Sequence, residues 1–347
     1  MTNLTSVQQS AASIAQLARE FSPQTEQLGQ LHPDVLKAMQ EAGLPQMLKP
    51  NPLGTIRDFV DVCGIVAEGC MSAGWCNFVW GMHNYVIGLY PASAQQAVWA
   101  DPKTLVSASL GPQGQCSTVT EAGATVSGRW RFNSGCDHAE WLLLGAMQEG
   151  GEPQLALLHK SEYEIDNTWQ VIGLKGTGSK DAVCANVQVP AERLMPFSKT
   201  IMPYGALLIL VIVGPVIGGA QAAVNEYGRL IGPEASEGKL LKLVESSAEV
   251  DAARALVLKA ASELDENPAP DSRVTTRIFR DTAFAARLCN RATQRVFEAA
   301  GGSQLHESKP LQRIFRDVTA GCAHARLQWD DQVLPYARKL VEPSRPN

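Results

Sequence analysis

The order in which hydrophobic periodicity changes along the chain limits its fold more than any single motif does. Up to about residue 100, apolar residues recur at helical spacing. Residues 32–43 (HPDVLKAMQEAG), 55–71, 72–90 and 91–101 read as helices, with Ser72 the expected N-cap of the third. From 102 to 198 the period shortens. TLVSASL, ATVSGRWRF, AEWLLLGAM, QLALLHK, WQVIGL and ANVQVP are strand-like runs split by Gly, Asn and Asp turns. From 214 to about 340 the pattern is helical again, and residues 273–300 and 310–336 are each long enough for a bundle helix. A doubly wound sheet alternates strand and helix throughout, so an α, then β, then α order excludes it. The expectation is a mostly helical α+β chain. It comprises a helical domain over 1–101, a central β-barrel over 102–200 and a C-terminal four-helix bundle over 201–347.

One segment imitates a membrane span. ALLILVIV (206–213) continues through Pro215 and a Gly pair to Ala223, but polar VNEYGR follows at once. A span needs about 20 apolar residues. A helix buried among helices, with Pro215 in its first turn, is the better reading. Hydrophobic residues make up 45% of the 347, which excludes a disordered chain. Net charge is −5 with no long basic run, so no nucleic-acid partner is expected. The eight cysteines form no CxxC pair and no His stands at zinc spacing, so no metal site is expected. Scattered thiols, and a first segment without an apolar secretory core, point to the cytoplasm and no membrane.

Familiar nucleotide and hydrolase motifs are missing. No GxGxxG follows a strand, GLKGTGSK (173–180) has the wrong spacing for a phosphate loop, and HExxH and GxSxG do not occur. Four segments instead carry a resemblance: SAGWCNFVWGMH (72–83), GRWRFNSGCDHAEW (128–141), WQVIGLKGTGSKD (169–181), and AAGGSQL with PLQRIFRD and His324 (299–324). Together, in this order, they resemble the acyl-CoA dehydrogenase superfamily. More narrowly, they are similar to its flavin-dependent monooxygenase branch, the oxygenase components of two-component phenol and indole hydroxylases. Acyl-CoA dehydrogenases usually carry a catalytic Glu just beyond the RD of the last helices. Here VTAGCAHARLQ follows Arg316-Asp317, with His324 and Ala325 where Tyr and Glu would fall. Glu226 or Glu245 are the carboxylates that could substitute. The resemblance thus implies hydroxylation of a small aromatic through a flavin C4a-hydroperoxide. The alternatives are an acyl-CoA dehydrogenase and a non-catalytic flavin or ligand binder.

The same resemblance assigns roles, each beside a plainer structural reading. Ser134, in the FNSG turn, would donate to flavin N5, or it simply satisfies its own turn. His324 would sit near the flavin C4a locus, and His83 would contact substrate, since imidazole holds or releases a proton near neutrality. Either could equally be a hydrogen-bonded core histidine. Trp75 and Met82 share a helix face with His83 as substrate-contact candidates, although such a stripe is also ordinary core. Ser109, Leu110 and Gly111 would line the flavin, and Gly301-Gly302 would touch the flavin tail, often of a neighbouring subunit. Trp130 and Phe132 read as core positions of the barrel. Implied cofactors are reduced flavin (FMNH2 or FADH2) with O2 as co-substrate. Implied partners are a small aromatic, a separate NAD(P)H:flavin reductase and further copies of the chain in a homo-oligomer, as a tetramer.

Overall fold

The computed structural model describes residues 6–50 and 52–341. The N-terminal part is helical: α1 (Ser6–Glu20), α2 (Ser22–Leu28), α3 (Pro33–Glu41), α4 (Ile56–Gly69), α5 (Met71–Ile87) and α6 (Ala92–Val98). Thr55 and Asp58 form a reciprocal capping box that starts α4. Ser72 does not cap α5. The helix begins one residue earlier, after an extended Cys70, and Ser72 is buried inside it.

The central part is one mixed sheet of seven strands: β1 (Val106–Cys116), β2 (Ala124–Asn133), β3 (Trp141–Gln148), β4 (Gln154–His159), β5 (Glu164–Asp166), β6 (Lys180–Val189) and β7 (Leu194–Pro196). Their order is β5-β6-β2-β1-β3-β4-β7, with β1 and β3 parallel. Alternation divides each strand between two cores. Leu142, Leu144, Ala156, Leu158, Trp130 and Ala182 pack together, so one face of the sheet curls onto itself as a barrel does. Leu143, Leu155 and Leu157 point the other way, into the helical core.

The C-terminal part holds α7 (Gly205–Leu210), α8 (Val213–Ile231), α9 (Glu237–Glu266), α10 (Ser272–Ala300), α11 (Pro310–Cys322) and α12 (Trp329–Val341). The apolar stretch Gly205–Ile231 is long enough to cross a membrane by length and composition, yet 94% of its most apolar window is buried inside the protein. It breaks into α7 and α8, and α8 packs on α4, α9 and α10. Pro215 lies in the first turn of α8, where its missing N–H costs nothing. Two expectations need correction. The continuous helix over 310–336 is broken between α11 and α12, where Ala323 and His324 lead into a single 3-10 turn. The 30-residue α9 was not singled out from the sequence: its buried stripe Ser246, Val250, Ala253, Val257, Ala260 and Leu264 includes small residues of low contrast, and apolar Leu240, Leu241 and Val244 stand exposed beyond it.

Candidate active site

Trp75, Ser134 and His324, from three distant stretches of sequence, meet in one place. Trp75 lies on α5 and donates its indole N–H to Ser134 Oγ at 3.2 Å. Its ring centroid is 6.0 Å from that of His324, at the break between α11 and α12. Gly321 leaves room at this approach: a Cβ there would fall 2.5 Å from Met71 Cε and 3.3 Å from the Trp75 ring.

The backbone takes an unusual course just before Ser134. β2 loses register with β6 between Trp130 and Asn133, and Phe132 takes a left-handed φ of 66°. A bulky residue seldom adopts that conformation outside a constrained site. Phe132 is therefore not the core residue expected. It is 65% exposed and meets Trp169 edge-on at 6.1 Å. Trp130 does go inside, with its indole N–H on the Gly145 carbonyl at 2.6 Å.

Ser134 Oγ lies 2.7 Å from Ser179 Oγ, which lies 2.7 Å from Thr177 Oγ1, which donates to the Leu174 carbonyl at 2.8 Å. All three hydroxyl residues are buried. Each hydroxyl has one hydrogen. Thr177 spends its own on a carbonyl that can only accept, so Ser179 donates to Thr177 and Ser134 donates to Ser179. That leaves Ser134 with an oxygen lone pair, not a hydrogen, for any further partner. Ser179 and Thr177 had no assigned role in the sequence reading. The only signal was two hydroxyl residues, each preceded by a glycine, in GTGS.

β1 ties this group to the candidate substrate residues. Ser107 Oγ donates to the Ser134 carbonyl at 2.7 Å, and the neighbouring Val106 carbonyl accepts from His83 Nδ1 at 3.0 Å. His83 is buried on α5, about 12 Å along the axis from Trp75 at 1.5 Å per residue. Because the carbonyl only accepts, the hydrogen of neutral His83 sits on Nδ1 and Nε2 is a bare acceptor. Burial lowers its pKa to about 4, so it is neutral near pH 7. His324 is the opposite tautomer. Its Nδ1 accepts the Arg326 N–H at 3.2 Å, which leaves the hydrogen on Nε2. Burial, with a smaller push from Arg326, lowers its pKa to about 4 as well. Met82, beside His83, is buried in the helical core.

Ser109, Leu110 and Gly111 sit at a wide irregularity in β1. Ser109 pairs with Leu144 and Gly114 with Ala146, so the four residues 110–113 stand opposite Gly145 alone. Gly145 has to be glycine, since a Cβ would meet the Leu110 and Gly111 carbonyls at 2.5 Å. Ser109 Oγ is already engaged by the Arg131 carbonyl and the Gln113 side chain. Gly111 is exposed, with only Gln113 within 4 Å of where a Cβ would be. This open backbone beside the Ser134 turn suits a flat, polar-edged ring. Gly301 and Gly302 end α10 at the surface, and nothing lies within 4 Å of a Cβ built on either.

The two carboxylates that could replace a dehydrogenase base are committed to arginines of the bundle. Glu226 pairs with Arg229 at 2.8 Å and Glu245, on the exposed face of α9, with Arg295 at 3.1 Å. The buried Asp317 carboxylate turns to the Leu174 N–H at 2.6 Å, and so holds the loop that carries Thr177 and Ser179.

The sequence model of the family described as Acyl-CoA dehydrogenase, C-terminal domain, matches residues 210–329. The chain is 31% identical to the flavin-dependent monooxygenase oxygenase subunit HsaA of Rhodococcus jostii RHA1, over 88% of this chain and 91% of that protein. It is 27% identical to the oxygenase component of an FADH2-dependent resorcinol hydroxylase from a Rhizobium strain, over 92% and 90% respectively. The crystal structure of 3-HSA hydroxylase from Rhodococcus sp. RHA1 superposes with a TM-score of 0.92 at 26% identity, covering 99% of this chain and 98% of that one.

Proposed function

Since this chain belongs to the oxygenase components of two-component flavin-dependent monooxygenases, within the acyl-CoA dehydrogenase superfamily, we propose that it hydroxylates a small aromatic carrying a ring hydroxyl or indole N–H. The observation that carries the reading is the meeting of Trp75, Ser134 and His324 beside the open backbone of residues 110–113. Reduced flavin, supplied by a separate NAD(P)H-dependent reductase, provides the electrons that let O2 transfer one oxygen atom to the ring. Gly111 and its neighbours receive the flat ring of the cofactor, and Phe132 and Trp169 offer aromatic surface at the rim.

In this reading the two histidines do opposite work. His83 accepts a hydrogen bond from the substrate hydroxyl or N–H through Nε2, which raises electron density at the carbon to be attacked. With its pKa lowered to about 4 it polarises that group and is not a store for the proton. His324 donates from Nε2 toward the oxygen side of the cofactor. Trp75 and Met82 face the substrate from α5. A second copy of the chain brings its Gly301-Gly302 turn to the cofactor tail in a tetramer, and the assembly works in the cytoplasm. In the same reading the chain divides into a helical domain over 1–101, a β-barrel domain over 102–200 and a helical bundle over 201–347, with the active site where the three adjoin.

The test is a panel of phenols and indoles incubated with the chain, a flavin reductase, NADH and either FMN or FAD. A product heavier by one oxygen supports the reading. NADH consumption that yields hydrogen peroxide alone across the panel speaks against it.

A further inference from the structure

The hydroxyls of Ser134, Ser179 and Thr177 form a row with an obligate donor at one end and an obligate acceptor at the other. The Trp75 indole N–H can only donate, and the Leu174 carbonyl can only accept. One polarity satisfies such a row: Trp75 to Ser134, Ser134 to Ser179, Ser179 to Thr177, Thr177 to Leu174. The acceptor end is anchored. Leu174 is buried in a left-handed conformation with φ 55°, its N–H is held by Asp317, and its carbonyl also accepts the Trp169 indole N–H at 3.1 Å.

We infer that this row presents Ser134 Oγ to the flavin as an acceptor, so that the site selects reduced over oxidised flavin, with Ser179 and Thr177 as the positioning residues that set the preference. The inference rests on the flavin reading above. Reduced flavin carries a hydrogen on N5, which the free lone pair of Ser134 can accept. Oxidised flavin has only a lone pair on N5, and it would face a second lone pair. For Ser134 to donate instead, one short contact of the row would have to lose its hydrogen: Ser134–Ser179 or Ser179–Thr177 at 2.7 Å, or Thr177–Leu174 at 2.8 Å. An oxygenase fed by diffusion from a reductase gains from this, because the spent oxidised cofactor does not occupy the site.

The experiment is an anaerobic titration of the full-length chain with FADH2 and, separately, with FAD, and the same with the FMN pair. The ratio of the two dissociation constants is the readout, and it needs no turnover. Wild type should favour the reduced form. Ser179→Ala frees the Ser134 hydrogen directly, and Thr177→Val frees it by releasing Ser179. Both should narrow the ratio about 5- to 10-fold, the worth of one neutral hydrogen bond, chiefly by tightening FAD. Thr177→Ser keeps the hydroxyl and should keep the wild-type ratio. A ratio unmoved in both Ser179→Ala and Thr177→Val would overturn this inference and leave the proposed function standing. The same narrowing in Thr177→Ser as in Thr177→Val would overturn it too, by pointing to packing and not to the hydroxyl. Failure of the wild-type chain to bind either reduced flavin would remove the functional reading and this inference with it.

Discussion

At the scale of single residues, the site runs on hydrogen-bond direction and not on charge. On the proposed function, Ser134→Ala would remove one hydrogen bond to the cofactor, worth roughly 0.5–1.5 kcal/mol, so the share of NADH lost to peroxide should rise about 2- to 13-fold. Coupling measured as product per NADH checks it, and unchanged coupling would take Ser134 out of the mechanism. His83→Phe keeps a ring in the core but loses the Nε2 acceptor, so turnover of a phenol should drop about 100-fold or more with reduced-flavin binding retained. Two buried groups shape stability against pH in opposite senses. Burial pushes His83 from the ordinary 6.5 down to about 4, so its stabilising effect is full above pH 6.5 and lost as pH falls toward 4. Burial raises Asp317 from 3.8 to about 6, so the folded chain binds that proton more tightly and gains stability as pH falls from 6 toward 4. Asp317→Asn keeps an acceptor for the Leu174 N–H but cannot titrate. Compared with wild type, it should therefore lose stability more steeply between pH 6 and pH 4 in a series of thermal melts.

At the scale of elements, close backbone approach decides what touches what. α4 and α8 cross over Gly64, Gly214 and Gly218, and a Cβ at Gly218 would run into the Gly64 carbonyl. Gly218→Ala should cost about 1–3 kcal/mol in chemical denaturation, as overpacking does, with little change in cofactor affinity if the protein is kept folded. Gly145→Ala should act the other way round. Its Cβ would push the Leu110 and Gly111 carbonyls, displacing the irregular part of β1 and weakening reduced-flavin binding more than it lowers the melting temperature. An equal loss of both would mean that residues 110–113 have no special part in the site. The break between α11 and α12 belongs to this scale as well. A continuous helix would carry residue 324 onward around the helical surface, whereas the 3-10 turn caps itself with His324 Nδ1 and sets the ring beside Trp75.

At the scale of the whole molecule, the exposed apolar side chains bear on the proposed association of copies. Leu230, Leu240, Leu241 and Val244 are 42%, 40%, 71% and 64% exposed along the end of α8 and the first turns of α9, and Phe284 on α10 is 40% exposed. Among the apolar residues of α10 and α11, Ile278 and Val296 are buried, and Phe297 stacks on Phe315 at 4.3 Å. Covering the exposed apolar residues at the α8–α9 end would remove apolar surface from water, which is the reason to expect association. Light scattering should give a tetramer. Leu241→Glu with Val244→Glu should yield smaller species that bind reduced flavin more weakly, because Gly301 and Gly302 then have no neighbour to reach. A fully active monomer would overturn the oligomer proposal.

The α, β, α order, the strand-rich middle and the burial of residues 206–223 were all readable in the chain, because period and polarity act locally. So were Trp130 as core and Ser134, His83 and His324 as candidates, through the strings around them. The break at His324 was not readable, since residues 310–336 keep an apolar pattern that suits one helix as well as two. Nor was α9, whose buried small residues Ser246, Ala253, Ala260 and Ala261 give no hydrophobic contrast. Phe132 looked like core because alternation along β2 predicts it, and a shift in register turned it outward. The direction of the Ser134 hydroxyl lay furthest from the sequence. It depends on a carbonyl 40 residues away in the chain, held by a carboxylate from α11, and only folding brings those three groups into one line.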